Sequence, residues 1–288
     1  MGYVYLLLQA LIFSFGGILI KTSAASFSPF MVSFLRFVLG ALILALLQLL
    51  RGGRIRFTLW NRTIILGGIA KTLHYVGENY GVMRGFSYGN VVIWPVQTVV
   101  ILLVSTLVFH ERVTRRAAAG ALLCVSGILL LTWNGAPTGE FLEGQGALLP
   151  AFVLAGIGAS LFSVAQKKLL SRMDAVELNN SMFLIGGVCT MGVLPFTPAP
   201  ATGLTLPAAG AMLVLGAITG VGFLLQAEAL KTVPIFAATV VQSSTVLLSL
   251  LWAALLYHER ITLWIAAGTA LFLCGILCVN IKTQKSNE

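Results

Sequence analysis

Charge is what this chain has least of. Asp, Glu, Lys and Arg together make up 9% of the 288 residues, while 58% are hydrophobic, and the mean hydropathy is +0.96. That much apolar surface exceeds what one globular core can hide, which excludes a soluble reading and makes lipid the solvent. Cysteine is scarce too. Cys124, Cys189, Cys274 and Cys278 all lie in apolar runs without CxxC spacing, so they read as small helix-packing residues and not as disulfide or zinc ligands. No glycine-rich loop ends in Lys-Ser/Thr and no soluble stretch could hold one, which excludes nucleotide hydrolysis as the energy source. Histidines number 3, with no third ligand at metal spacing near His74 and Glu78 and no nucleophile motif, so neither an intramembrane enzyme nor a bound cofactor is expected. No Lys or Arg precedes the first apolar run, so residues 3–20 are expected to remain as a span instead of serving as a cleaved secretory leader.

What is present is long apolar runs. A helix needs about 20 apolar residues to cross the hydrocarbon core, and ten runs qualify: 3–21, 30–50, 61–83, 88–109, 114–133, 146–169, 176–196, 206–230, 235–257 and 262–281. They are continuous, rich in Leu, Ala and Gly, and twice too long for barrel strands, which predicts an all-α polytopic membrane protein.

The formal charge of +9 then acts as a topology signal. With both ends on one side, that side holds Arg51, Arg54, Arg56, Arg62, Arg112, Arg115, Arg116, Lys167, Lys168, Arg172, Lys231, Lys282 and Lys285, thirteen of the 18 basic residues. The opposite loops hold only Lys21, Arg84 and Arg260, while Arg36 and Lys71 fall inside spans. The positive-inside rule makes both termini cytoplasmic. Nucleic-acid binding, the usual reading of a basic chain, is not expected. A bacterial cytoplasmic (plasma) membrane is the expected location.

A repeat divides the chain. Phe109 to Gly127, FHERVTRRAAAGALLCVSG, returns 148 positions later as Tyr257 to Gly275, YHERITLWIAAGTALFLCG. His110, Glu111 and Arg112 match His258, Glu259 and Arg260; Thr114 matches Thr262, Gly120 matches Gly268, and Gly127 matches Gly275. Each unit holds five spans, an odd number, so the second enters from the other side and the repeats are inverted. Residues 1–137 and 138–288 are expected to form the two units. Glu111 and Glu259 invite a catalytic reading, but each precedes by three residues a Thr that can cap the next helix, and a structural role is preferred.

A span ending in aromatic-X-Glu-Arg, then Thr, then a glycine-containing span with Gly-Ile-Leu, resembles the two EamA-type repeats of the ten-helix drug/metabolite transporter superfamily. Tyr75, Asn79-Tyr80-Gly81-Val82-Met83 and Trp94-Pro95 fit its third and fourth helices, and Ser33-Phe34-Leu35-Arg36-Phe37 fits its second. The resemblance implies a transporter of small metabolites, usually an exporter without a cofactor, with a central cavity between the halves.

Lys71, His74 and Glu78 occupy one face of span 3, at spacings of three and four. Intramembrane ionisable groups cost about 2.5–3.5 kcal/mol each, so that face must look inward. Arg36 lies at a depth comparable with Glu78 and is its expected ion partner, which leaves both a structural pair and a proton or substrate role for His74 and Glu78 open. Trp94, Gln97, Ile101 and Val104 correspond to Gln242, Thr245, Ser249 and Trp252, one polar or aromatic stripe per helix. Trp94 and Trp252, with Phe13, Phe15 or Tyr75, supply aromatic faces, and Gln97 and Gln242 supply amides. Trp60, Trp133 and Trp264 read as interfacial anchors. The expectation is a secondary carrier of an amino-acid-like or amine metabolite, with protons as candidate coupling ion and His74, Tyr75, Glu78, Phe15, Trp94, Gln97, Gln242 and Trp252 at the substrate. An importer or facilitator of a choline-like cation, or an intramembrane enzyme, are the rivals. Partners are the substrate and lipid, the protein being a monomer or homodimer.

Overall fold

The computed structural model describes residues 1–50, 52–108, 115–197 and 203–280. Among them the regular elements are all helices: α1 (Gly2–Phe13), α2 (Gly16–Ser23), α3 (Pro29–Leu50), α4 (Arg62–Arg84), α5 (Ile93–Val108), α6 (Arg115–Trp133), α7 (Thr138–Glu143), α8 (Gln145–Leu169), α9 (Ala175–Met191), α10 (Leu206–Thr232), α11 (Ile235–Gln242), α12 (Thr245–Tyr257) and α13 (Leu263–Asn280). Single 3-10 turns sit at Gly89–Val92 and Leu194–Phe196. The ten expected spans are all represented, with α1 and α2 sharing the first and α11 and α12 the ninth. The turn carrying Glu111, and Arg51, Lys282 and Lys285, lie outside the described residues.

Six of these segments are long and apolar enough to cross a membrane, and three shorter apolar helices accompany them. The tenth is α4, whose 23 residues reach about 35 Å but carry Lys71, His74 and Glu78. The chain is turned outside in. Leu42, Leu66, Leu103, Leu122, Leu213 and Leu255 are exposed, while Gln9, Arg36, Lys71, Asn79, Gln166 and Asn179 are buried, the distribution that a hydrocarbon solvent demands.

The inverted repeat appears as reciprocal packing. α4 lies on α8 and α9, and its counterpart α10 lies on α1, α2 and α3. The axis runs between the counterparts α6 and α13. There the Cys124 thiol meets the Phe272 carbonyl at 3.7 Å, and those two residues are repeat equivalents. A Cβ on Gly127 would stand 2.6 Å from the carbonyl oxygen of Gly268, and one on Gly275 would stand 2.6 Å from that of Gly120. The same contact is therefore made twice, and only glycine permits it.

Side-chain contacts at the bundle's ends respect the expected sidedness. At the end that carries Met1, Thr58 donates to Glu177 at 2.7 Å and Lys167 donates to the carbonyls of Leu230 and Val233. At the opposite end Thr22 and Tyr257 share a hydrogen bond of 2.8 Å, Ser26 donates to the Gly203 carbonyl, Lys21 binds the Gly85 carbonyl, and Thr262 binds Asn134. Thr262 caps α13 by accepting from the Ile265 N–H at 3.3 Å, and Glu259 accepts from the Ser87 N–H at 2.9 Å. Glu259 thus ties the turn of the second half to the loop after α4. Trp60 is 96% exposed, and Trp133 meets Trp264 edge to face at 4.8 Å.

Candidate substrate site

The site begins with how α4 is held. Asn61 caps its start, accepting from the Thr63 N–H at 2.8 Å. Farther along, a Cβ on Gly77 would lie 2.4 Å from the Ala151 carbonyl of α8, and one on Gly158 would lie 2.4 Å from the Ala70 carbonyl of α4. The backbones touch, so rotation of α4 is fixed and its polar stripe faces the bundle interior.

Arg36 of α3 meets Glu78 there at 2.7 Å, both side chains under 10% exposed. The guanidinium also donates to Asn79 at 3.0 Å and Thr219 at 3.4 Å, and lies 3.7 Å over the Tyr75 ring. Glu78 has its second oxygen on the Asn90 amide at 3.2 Å. The Lys71 Nζ and His74 Nδ1 stand 2.9 Å apart, and His74 Nε2 is 3.8 Å from Glu78 Oε2. The Lys71 Nζ is otherwise enclosed by rings, 3.3 Å from the centre of Phe223, 4.3 Å from Tyr75 and 4.7 Å from Phe162.

These groups border a cavity of about 40 Å³, lined from both halves. Of the residues expected at the site, Arg36, Lys71, His74, Glu78, Trp94, Gln97 and Gln242 line it, as does Phe13. Tyr75, Phe15 and Trp252 stand behind that lining. Tyr75 is fully buried beneath the two cations. Phe15 stacks on Trp252 at 4.8 Å and 18°, while Trp252 Nε1 donates to Ser14 at 2.8 Å. The physical reason is the interruption between α1 and α2. Thr245 and Ser249 donate to the carbonyls of Ala10 and Ser14, each at 3.3 Å, so most of the α12 stripe serves the loosened turn in the first span.

Sequence reasoning passed over a chain of amides across five helices. Gln242 donates to Gln9 at 2.7 Å, Gln9 to Gln226 at 2.7 Å, Gln226 to Gln166 at 3.0 Å, and Gln166 to Asn179 at 2.7 Å. Asn179 ends the chain on the carbonyls of Ala175 and Phe223. Gln226 also donates to Ser163 at 3.0 Å, as does Gln97 at 3.3 Å. The chain lies toward the Met1 end, beneath the cavity. Asn90, Phe162, Ser163 and Phe223 likewise line the cavity without having been singled out. An amide in an apolar run was the available signal, since each must find a partner in the interior.

Ten spans in two reciprocal halves around a polar interior define an integral membrane transporter. The sequence model of the EamA-like transporter family matches residues 1–133 and again 147–281; the chain belongs to that family. It is 24% identical over 263 residues to an uncharacterized transporter of Archaeoglobus fulgidus, covering 90% of this chain and 91% of that one. One solved crystal structure superposes with a TM-score of 0.74, over 97% of this chain and 98% of its own. Its identity is 18%, so this likeness is one of fold.

Proposed function

We propose that the protein is a secondary carrier that moves a small amino-acid-like metabolite by alternating access, with the cavity between its halves as the substrate site. One observation carries this reading: the lining is drawn from both halves, with His74, Glu78 and Trp94 on one side and Phe223, Gln226 and Gln242 on the other. Any rocking of one half against the other must remake the site, as a carrier requires. Contacts between the halves close the cavity at two levels. Gln9 with Gln226 and Gln242 joins them toward the Met1 end, and Phe15 with Trp252 and Thr22 with Tyr257 join them toward the other.

In this reading the carrier sits in a bacterial plasma membrane with both termini in the cytoplasm, a sidedness that the distribution of Lys and Arg supports, and the family resemblance favours export. Protons are the coupling ion in this reading. The His74 imidazole lies between Lys71 and Glu78, where it can pass a proton along the stripe as each side opens. Counterflow in proteoliposomes tests the reading: a carrier saturates and is accelerated by substrate on the far side. Linear, unsaturable flux without acceleration would make the protein a channel instead.

A further inference from the structure

Resting on the central-cavity reading above, we infer that Lys71 selects the substrate by taking an anionic group, the carboxylate of an amino-acid-like metabolite, as its counter-ion. Amines and quaternary ammonium ions that lack such a group are not carried.

Glu78 is already committed. One oxygen holds Arg36 at 2.7 Å and the other holds Asn90 at 3.2 Å, so a substrate ammonium would meet a carboxylate whose charge the arginine already neutralises. Lys71 has no such partner. Among the described residues no carboxylate lies within ion-pair distance of its Nζ, which stands 2.9 Å from His74 Nδ1. Of the ionisable Arg36, Lys71 and Glu78 on the wall, Arg36 and Glu78 neutralise each other, so a protonated Lys71 is the charge in excess. A buried ammonium without a counter-ion is costly even when rings surround it, and an incoming carboxylate removes that cost.

The aromatic faces argue the same way. In a site built for an amine, the rings of Phe223, Tyr75 and Phe162 would be open to the ligand. Here Lys71 occupies them, so an organic cation meets both a covered surface and a like charge. The repeat equivalent of Lys71 is Thr219, which serves Arg36 and Tyr75. The excess charge is therefore single, matched to one anionic group. A zwitterion satisfies the remainder of the wall, its ammonium facing the amides of Gln97 and Gln242.

Matched ligand pairs test this. The full-length protein in detergent is challenged with the common amino acids, their decarboxylated amines, glycine betaine and choline, and binding is read as thermal stabilisation and then as exchange in proteoliposomes. Carboxylates should bind and exchange while their paired amines do not. Lys71→Met should weaken binding by about 30-fold or more, and Lys71→Arg should retain part of it, with monodispersity of both variants checked by gel filtration. Amines binding as well as their acids would overturn the role of Lys71 but leave the cavity as the transport site. No binding or exchange by any member of either series would overturn the amino-acid-like reading and this inference with it. Should Lys71→Met fail to fold, the pairs on the parent protein still decide.

Discussion

Removing either partner of the Arg36–Glu78 pair should cost more than removing both. In Arg36→Gln the carboxylate keeps only Asn90 as a close partner, and stranding a buried charge costs about 3–5 kcal/mol. In Glu78→Gln the guanidinium keeps Asn79, Thr219 and the Tyr75 face, so the loss should fall near the lower end, about 3 kcal/mol. The double variant buries two neutral amides that can bond each other, and should lose only about 1–2 kcal/mol. The coupling between the sites is then at least about 4 kcal/mol, far above the additivity error of about 0.5 kcal/mol. Unfolding in mild detergent by graded denaturant, followed by Trp fluorescence or steric trapping, would give the four corners of the cycle. Additive losses would refute the claim that these charges neutralise each other.

Gln226→Leu should cost about 1–2 kcal/mol in the same assay, because Gln9, Ser163 and Gln166 all lose a partner; an unchanged midpoint would mean that the amide chain is dispensable. Gly127→Leu should cost about 3 kcal/mol or more, since its side chain would drive into the backbone of Gly268 and Phe272. Gly187→Ala, which meets nothing nearer than the Phe37 Cβ at 3.8 Å, should be neutral to slightly stabilising, and equal effects would remove the special status of the α6–α13 crossing. His74→Gln should abolish accumulation driven by a pH gradient while leaving exchange at equal pH partly intact; normal accumulation in vesicles would take His74 out of coupling.

The repeat, the number of spans and the Arg36–Glu78 pair are legible in the sequence because each rests on a rule that acts along one helix or at one depth. Ionisable groups in lipid must face inward and must pair, and few were available. The role of Trp252 is not legible in that way. Its stripe of Gln242, Thr245, Ser249 and Trp252 has helical spacing, but the spacing does not say what the face meets. What it meets is the loosened turn at Ser14 and Phe15, which contains neither Pro nor Gly and keeps right-handed helical angles. The Ser14 hydroxyl bonds back to Leu11, which competes with the helix ladder there. The amide chain escapes for a different reason: it draws one residue from each of α1, α8, α9, α10 and α11, so no single helix displays a period.

Alternating exposure of the cavity is the central claim, and sided thiol labelling tests it most directly. With native cysteines removed, Gln97→Cys on the cavity wall is labelled by an impermeant reagent applied to either face of oriented vesicles. A cross-linker then joins Thr22→Cys to Tyr257→Cys, residues whose hydroxyls stand 2.8 Å apart at the end opposite Met1. The account predicts that cross-linking abolishes labelling from that face while labelling from the Met1 face persists or increases. Labelling from both faces unaffected by the cross-link, or blocked on both, would contradict it.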